Sequence, residues 1–199
     1  MKIISFEGFE YSGKSTQIKL LQSYFKKNKI RSTFTREPGG NKQLEKIRKI
    51  ILQSDFSNLS LILFFFASRF SLLSSMKTKD LVVFDRFFDS TYAYQKINNK
   101  DKSLIINLID QIEKKYIPTI TFYFKINKKT LLDRKKIRGQ KNYFDKKYAS
   151  HFTRIQKNYD EIGKMKVGKR KFITIDASKP KEIVHKEIVE NLKRCKLIR

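Results

Sequence analysis

The chain has 199 residues, of which 40% are hydrophobic, and its 45 lysines and arginines outnumber its 19 acidic residues to give a formal net charge of +26. This length predicts one domain over residues 1–199, and the single cysteine, Cys195, excludes an internal disulfide. No signal peptide is visible, and the strongest apolar run, residues 59–66, is too short to span a bilayer, so we expect a cytoplasmic protein without a membrane partner.

The excess of positive charge favours an anionic partner, for which two interpretations are open. The chain either binds nucleic acid, or it acts on nucleotides and its lysines reflect a bias of the whole composition, since Lys, Ile, Asn and Phe are all frequent. The lysines are scattered along the chain and do not form one tract. We therefore favour nucleotides and do not expect nucleic acid as a partner.

Apolar segments of strand length alternate with longer segments of helical periodicity along the chain. Strands are predicted at residues 3–6, 32–35, 81–84, 119–124 and 172–175. Helices are predicted at residues 14–28, 43–53, 59–76, 102–115, 129–136, 146–164 and 181–194. This order predicts an α/β fold in which a parallel sheet is covered by helices on both faces. Ligands of such folds bind at the carboxyl ends of the strands.

A phosphate-binding loop follows the first predicted strand. The residues fit the pattern G-x-x-x-x-G-K-S/T and read Gly8-Phe9-Glu10-Tyr11-Ser12-Gly13-Lys14-Ser15. In such a loop the backbone N–H groups and the N-terminus of the next helix face the phosphates, and Lys14 adds a positive charge. We expect the hydroxyl of Ser15 to bind Mg²⁺. A chance turn is the alternative, but the strand before the loop and the helix after it argue against that.

Three further segments carry chemistry near predicted strand ends. Residues 35–40 (T-R-E-P-G-G) follow the second strand, residues 85–95 (D-R-F-F-D-S-T-Y-A-Y-Q) follow the third, and residues 65–69 (F-F-A-S-R) lie in a helix between them. Asp85 ends an apolar strand, as a magnesium-side carboxylate does. Arg36, Arg48 and Arg86 would supply forked, permanently charged donors that suit a phosphate monoester.

With these segments the chain closely resembles the bacterial type of thymidylate kinase, a family of P-loop nucleoside monophosphate kinases. The combination of T-R-E-P-G-G with D-R-x-x-x-S-x-x-A-Y-Q carries the resemblance, which runs nearly end to end. It implies a three-layer fold with five parallel strands in the order 2-3-1-4-5. It also implies phosphorylation of dTMP to dTDP by MgATP in dTTP biosynthesis, and a homodimer formed through helices such as 59–76.

The resemblance also implies roles for individual residues. ATP is expected at Gly8, Phe9, Glu10, Tyr11, Ser12, Gly13, Lys14, Ser15, Thr16, Arg134, Asp176, Ala177 and Ser178. The residues expected to bind dTMP are Arg36, Glu37, Pro38, Arg48, Phe65, Ser68, Arg69, Arg86, Ser90, Thr91, Tyr94 and Gln95. Phe65 would stack on thymine, Arg69 and Gln95 would bond its polar edge, and Tyr94 would crowd the 2′ position of the sugar. Ser15 and Asp85 would hold Mg²⁺.

The expected catalytic residues are Lys14, Arg86, Glu10 and one arginine of a lid. Residues 132–139 (L-D-R-K-K-I-R-G) resemble the start of the family's lid, which would cover about residues 133–145. Bacterial members with a non-basic phosphate loop take their catalytic arginine from this lid, which makes Arg134 and Arg138 the candidates. A solvated basic helix end is the alternative. Tyr11 departs from the family, which usually has a glycine there. Tyrosine tolerates positive φ poorly, so we expect it to reshape the outer edge of the loop.

Two rival functions are open at this point. One is another kinase of the same superfamily, acting on a deoxynucleoside or a different monophosphate, and T-R-E-P-G-G and Ala93-Tyr94-Gln95 argue against it. The other is a basic nucleic-acid-binding protein on an inactive kinase scaffold, against which the intact Lys14, Ser15, Asp85 and Arg86 argue. Structural roles are also open for single residues. Phe65 could be an ordinary residue of the hydrophobic core, and Asp85 and Arg86 could form a plain salt bridge.

Overall fold

The computed structural model describes residues 1–77, 80–138, 148 and 150–199, without the side chain of Arg138. Five strands form one parallel sheet in the order β2-β3-β1-β4-β5. They are β1 (Lys2–Gly8), β2 (Ser32–Arg36), β3 (Leu81–Asp85), β4 (Ile120–Lys125) and β5 (Lys171–Asp176). The predicted fold class and strand order are confirmed, and every predicted strand is present.

Eight α-helices occur in the described part of the chain. They are α1 (Lys14–Lys27), α2 (Lys42–Gln53), α3 (Asn58–Ser75), α4 (Phe88–Gln95), α5 (Asn99–Asp110), α6 (Lys128–Arg138), α7 (Phe152–Lys164) and α8 (Lys181–Arg194). The helix predicted at 102–115 is wrong in its end, because α5 stops at Asp110 and a separate 3₁₀ turn, Lys114–Tyr116, follows. Part of the helix predicted at 146–164 lies outside the described residues.

The periodicity of the sequence did not predict α4. This helix has 8 residues, and all of them except Ser90 are buried. A helix that is covered on every side has no polar face, so the alternation that marks a surface helix is missing from it. Its position directly after β3 places four of the predicted dTMP residues, Ser90, Thr91, Tyr94 and Gln95, on one short rigid element.

The three central strands, β1, β3 and β4, are buried on both faces of the sheet. In β1, Ile4 and Phe6 belong to one hydrophobic cluster, which includes α1, α7 and α8, whereas Ile3 belongs to the other, which includes α3, α4 and α5. Successive side chains of a strand point to opposite faces, so an apolar run of this kind fills both layers. The sheet therefore forms a stiff support for the loops at its carboxyl edge.

The helix α3 is the one element of the described residues that is long and apolar enough to cross a membrane by length and composition. It packs against α2, α4 and α5, and its Arg69 forms a buried ion pair with Glu37. A core helix of a soluble protein passes the same length test, and 44% of this helix is buried inside the fold. Packing within the fold accounts for the apolar side chains on the buried side of this helix.

The carboxyl ends of β2 and β3 lie level with each other and beside the last residues of β1. Phe6 in β1 and Arg36 in β2 both pair with Asp85 in β3. The backbone N–H of Arg86 donates to the carbonyl of Phe6 at 3.0 Å, and the backbone N–H of Glu37 donates to the carbonyl of Asp85 at 3.1 Å. The phosphate loop, the T-R-E-P-G-G segment and α4 consequently leave the sheet side by side.

Candidate functional site

Lys14 closes the phosphate loop from inside. Its Nζ donates to the carbonyls of Gly8 and Phe9, both at 2.8 Å, and lies 3.3 Å from the Oγ of Ser12. Gly8 has φ 143°, and a Cβ there would lie 2.6 Å from the carbonyl oxygen of Phe124, so only glycine fits. Burial, followed by the charge of Arg86, lowers the pKa of Lys14 to about 8.

Tyr11 has a backbone conformation that favours glycine. Its φ is 62°, in the left-handed region that costs a non-glycine residue roughly 1–2 kcal/mol. Its carbonyl accepts a hydrogen bond from Nη1 of Arg134 at 3.0 Å. The loop therefore carries local strain at Tyr11, whose side chain lies at the rim of the loop.

Arg86 connects the loop to α4. Its guanidinium pairs with Glu10, donates to Ser90 Oγ at 3.0 Å, and lies 5.2 Å from the centre of the Tyr94 ring. Burial opposes the charge of Arg86, but Tyr94 and Glu10 raise its pKa well above the ordinary value. Burial also opposes the charge of Glu10, but Arg86 and Lys14 lower its pKa to about 2. Both groups are therefore ionised at neutral pH.

Glu7, which the sequence analysis did not single out, fixes the turn that carries Arg86. One carboxylate oxygen accepts the backbone N–H of Phe87 at 2.6 Å, and the other accepts the hydroxyl of Ser90 at 2.5 Å. Burial and the nearby Asp89 raise the pKa of Glu7 to about 8. This buried acid connects the end of β1 to the start of α4. Arg86, in the turn between β3 and α4, has φ 74°.

Two cavities open beside these groups. The first, here the aromatic cavity, has a volume of about 330 Å³, and its aromatic lining residues are Phe9, Tyr11, Phe65, Phe87, Tyr94, Tyr148 and Phe152. The second, here the phosphate-loop cavity, has a volume of about 590 Å³ and is lined by residues 10–16 with Asp85. Five residues line both cavities, which therefore meet at Glu10, Tyr11, Glu37, Arg48 and Arg86.

Nearly all of the predicted dTMP residues line the aromatic cavity; the exceptions are Arg36 and Ser68. Arg36 lines the phosphate-loop cavity, and its Nε and Nη2 pair with Glu45 at 3.0 and 2.6 Å. Ser68 is buried in α3 and lines neither cavity. Arg48 does reach the cavity, where its Nη1 also donates to the carbonyl of Pro38 at 2.8 Å.

A buried ion pair lies in the wall of the aromatic cavity. The Nε of Arg69 donates to Oε2 of Glu37 at 2.7 Å, and its Nη2 donates to Thr91 at 3.1 Å. Burial raises the pKa of Glu37 to about 7, against the lowering effect of Arg69. Among the described residues, Nη1 of Arg69 and Oε1 of Glu37 have no hydrogen-bond partner. Such groups are costly to leave unpaired, so they fit a ligand with a polar edge.

The ATP side of the predicted site is built around Arg134 and the phosphate loop. Arg134 bridges the loop and the turn after β5, because its Nη2 donates to the carbonyl of Ala177 at 2.7 Å. In that turn the amide of Ser178 donates to Asp176 at 3.0 Å. Phe9 was predicted on the ATP side, but its side chain lines the aromatic cavity and stacks with Tyr94.

Some predictions fall outside the described residues. These are the side chain of Arg138 and the remainder of the predicted lid from residue 139 to residue 145.

The two residues predicted to hold the metal, Ser15 and Asp85, both line the phosphate-loop cavity. Over the ranges that the structure describes, no group of three or more His, Cys, Asp or Glu residues is arranged to hold an ion. Two oxygen donors suit Mg²⁺, which takes its other ligands from water and phosphates.

Comparison with known proteins decides the family. A family model described as thymidylate kinase matches residues 6–188. The chain belongs to the thymidylate kinase family. A thymidylate kinase from Wolbachia pipientis subsp. Culex pipiens is 35% identical, with 97% of this chain and 96% of the relative covered. One from Chlorobium limicola is 34% identical, with 96% and 94% covered.

A solved structure extends this similarity to three dimensions. The crystal structure of thymidylate kinase from Ehrlichia chaffeensis superposes with a TM-score of 0.72 at 28% identity. The match covers 96% of this chain and 98% of that one. The thymidylate kinase resemblance found in the motifs is thereby confirmed for the chain as a whole, including the fold.

Proposed function

We propose that the chain transfers the γ-phosphoryl group of ATP to dTMP, which gives dTDP for dTTP biosynthesis. The observation that carries this proposal is the meeting of two cavities at Arg86 and Glu10. One cavity is formed by a phosphate loop, and the other has an aromatic lining and one buried cation. A nucleoside triphosphate in the first and a nucleoside monophosphate in the second would place their phosphates at the shared wall.

The aromatic cavity suits a thymine base. Phe65 and Tyr94 line it with flat apolar surface, and Arg69 offers a buried guanidinium whose Nη1 has no hydrogen-bond partner among the described residues. A ring carbonyl of thymine would satisfy that donor. Tyr94, held between Phe9 and Tyr148, supports the preference for deoxyribose because its ring would crowd a 2′ hydroxyl.

The acceptor phosphate needs no general base. A phosphate monoester loses its second proton near pH 6, so the attacking oxygen is already ionised at neutral pH. Catalysis then consists of holding two anions in line and stabilising the charge that moves between them. Arg86 and Arg48 line both cavities and Lys14 lies in the loop, so these three cations supply the stabilisation.

Mg²⁺ and Arg134 complete the donor side of the proposal. Ser15 and Asp85 would hold the ion, which when bound would neutralise phosphate charge. Arg134 already contacts the carbonyls of Tyr11 and Ala177, and its Nη1 lies 3.6 Å from where a Cβ of Gly13 would be. We propose that this guanidinium contacts the donor nucleotide at the mouth of the loop.

We also propose that the chain is one cytoplasmic domain that forms a homodimer through α2 and α3. The support is a set of exposed apolar side chains on these adjoining helices: Ile47, Ile50, Leu59, Leu63 and Phe64. Large apolar residues grouped on neighbouring helices favour a protein interface. Sedimentation velocity on the wild type and on Ile50→Lys with Leu63→Lys would test it, since the dimer should dissociate in the double variant.

ADP release tests the proposed function. With MgATP, a coupled assay should give a specificity constant for dTMP at least about a hundredfold above those for dCMP, dGMP and UMP, because a site built for a polar edge rejects a mismatched one strongly. Thymidine should not be phosphorylated, since Arg86 and Arg48 would lack a phosphate to bind. Equal rates with dCMP or dGMP would leave only a general nucleotide kinase. Inactivity toward every acceptor, with tight salt-sensitive DNA binding, would favour the nucleic-acid alternative.

A further inference from the structure

The last turn of α4 carries two residues predicted to contact the nucleoside, Tyr94 and Gln95. The last four carbonyl groups of an α-helix have no partner within the helix, so such an end frays unless other donors bind it. In α4 these are the carbonyls of residues 93–96, because the N–H of Lys96 donates to the carbonyl of Tyr92 at 3.1 Å and closes the last bond of the helix. The rigidity of this end therefore depends on what binds those four carbonyls.

The chain beyond α4 does not supply the missing donors. The N–H groups of Ile97 and Asn98 are the ones that would continue the helix, and both donate to Oδ2 of Asp101, at 3.1 and 3.3 Å. Asn98 and Asp101 form the capping box that begins α5. The start of α5 thus ends α4 and leaves the last carbonyls of α4 to side chains from elsewhere in the fold.

Two side chains of α7 supply donors to three of these carbonyls. The Nδ2 of Asn158 donates to the carbonyl of Ala93 at 3.0 Å and to that of Lys96 at 2.9 Å. The Nη1 of Arg154 donates to the carbonyl of Tyr94 at 3.3 Å and to that of Lys96 at 3.0 Å. Residues four apart in a helix lie on one face, and here that face is the one by which α7 packs against α4.

These contacts can form in one sense only. A guanidinium carries donors and no acceptor, and a backbone carbonyl accepts and cannot donate, so the carbonyls also set the Asn158 amide with its nitrogen toward α4. Asn158 is 3% exposed and Ala93 is fully buried, so removal of the amide would leave a buried acceptor unpaired, which is costly. The fourth carbonyl, that of Gln95, accepts from the side chain of Asn58 in α3 at 2.8 Å, so all four are bound.

We propose that Arg154 and Asn158 are positioning residues that set the selectivity of the site for deoxyribose by holding the last turn of α4, and with it Tyr94, against the sugar. A ring excludes a 2′ hydroxyl only if the backbone that carries the ring does not yield. The neighbouring rings of the cavity pack on the side chain of Tyr94, whereas α7 holds its backbone. This inference rests on the proposed function, because it requires a nucleoside monophosphate in the aromatic cavity.

The test is the variant Asn158→Leu, which keeps the size of the side chain and removes the donor. Specificity constants are measured with MgATP for dTMP and for ribothymidine 5′-monophosphate, which differ only in the 2′ hydroxyl. We expect the ratio of the two to fall at least about fivefold, in the range of one lost hydrogen bond, because a turn that yields tolerates the hydroxyl. The KM for ATP should stay unchanged, since neither Asn158 nor Arg154 lines the phosphate-loop cavity. Arg154→Met, at a partly buried position, should give the same result, and it decides the test if Asn158→Leu does not fold.

Two further variants separate this role from a general structural one. Gln156→Met is the matched control, because Gln156 lies on the same helix and its Nε2 also donates to a backbone carbonyl, but to that of Ile126, outside both cavities. Its ratio of specificity constants should equal that of the wild type. Tyr94→Leu removes the ring and should lower the ratio by itself, so that adding Asn158→Leu to it lowers the ratio no further.

The outcomes also distinguish the inference from the function beneath it. A wild type that does not phosphorylate dTMP contradicts the proposed function, and the inference falls with it. A wild type that prefers dTMP to the ribonucleotide, and keeps its full preference in the α7 variants that fold, contradicts the inference alone. An equal loss of preference in Gln156→Met, or an effect of Asn158→Leu that persists in the Tyr94→Leu background, contradicts it as well. A wild type that uses both nucleotides equally would remove the preference that the inference explains, and so overturn it.

Discussion

The phosphate loop and the aromatic cavity are built in different ways. The loop is one contiguous segment of eight residues whose backbone and one lysine would face phosphate in the proposed function, and it has positive φ at Gly8, Tyr11 and Gly13. The aromatic cavity is assembled from side chains that come from at least five segments between Phe9 and Phe152. A charge can be bound by any correctly placed donors, whereas a base must be distinguished from others by the position of each donor and acceptor.

This difference predicts that single changes in the loop reduce turnover with every acceptor, whereas changes in the cavity redistribute turnover among acceptors. Four experiments use this contrast, beginning with the largest expected effect.

Lys14→Ala should lower kcat with all acceptors by at least about 10², because a charge in contact with the transferring phosphates is lost. The fold should remain, since within the described residues the lysine bonds only to groups of its own loop. Steady-state kinetics and circular dichroism measure the two effects. Lys26→Ala, at the exposed end of the same helix, is the control and should behave as wild type. Retention of more than about a tenth of the activity in Lys14→Ala, a loss below roughly 1.4 kcal/mol, would remove its role.

Arg69→Met should lower kcat/KM for dTMP at least about a hundredfold and leave KM for ATP unchanged. It should also lower the free energy of unfolding by about 3–5 kcal/mol, because Glu37 is left buried without its partner. Urea denaturation and kinetics measure both. Arg170→Met is the matched control, since Arg170 pairs with the buried Asp89 at 2.6 Å away from both cavities.

Arg170→Met should therefore lose comparable stability and keep the preference for dTMP over dCMP. Adding Glu37→Leu to Arg69→Met should recover stability without recovering activity on dTMP. Recovery of dTMP turnover in that double variant would show that Arg69 acts on the fold and not on the base.

The pKa of Lys14 predicts a pH dependence on the loop side. Because burial lowers this pKa to about 8, the Lys14 side chain is charged below pH 8 and becomes neutral as the pH rises above it. The value of kcat/KM for ATP at saturating dTMP, which reports the enzyme before ATP binds, should fall by up to about tenfold per pH unit above pH 8. A profile that stays level up to pH 9.5 would contradict this assignment.

The smallest effect concerns Tyr11. Because its φ of 62° favours glycine, Tyr11→Gly should exceed Tyr11→Ala in free energy of unfolding by about 1 kcal/mol. Both variants lose the ring, so their difference isolates the backbone, and chemical denaturation measures it. A variant with alanine as stable as the one with glycine would mean that the left-handed conformation stores no strain.

The sequence pattern predicted the loop well and the cavity less completely, for a physical reason, whereas the strand order came from the family resemblance. A phosphate loop is formed by neighbours in sequence, so its pattern is visible in eight letters. Glu7, Glu45 and Tyr148 act through contacts with residues 80, 9 and 53 positions away, and no local pattern marks such pairs. Arg36, for instance, is bidentate with Glu45, which reading the T-R-E-P-G-G segment alone did not reveal.

The same reasoning explains the error at α4 and the success at α8. The helix α8 is half exposed and has basic residues in its last turn, so its periodicity predicted both ends, Lys181 and Arg194, correctly. The helix α4 is buried on nearly every side and was recognised only as a motif. A helix that is buried on all sides shows no alternation of apolar and polar residues, so its periodicity does not reveal it even where it carries site residues.

The most direct test of the central claim follows the phosphoryl group itself. The protein is incubated with Mg²⁺, dTMP and ATP labelled with ³²P at the γ position, and the nucleotides are separated by chromatography. The account predicts that the label passes from ATP to dTDP and that Lys14→Ala stops the transfer. Label released as inorganic phosphate, with dTMP left unchanged, would contradict a transfer between the two cavities.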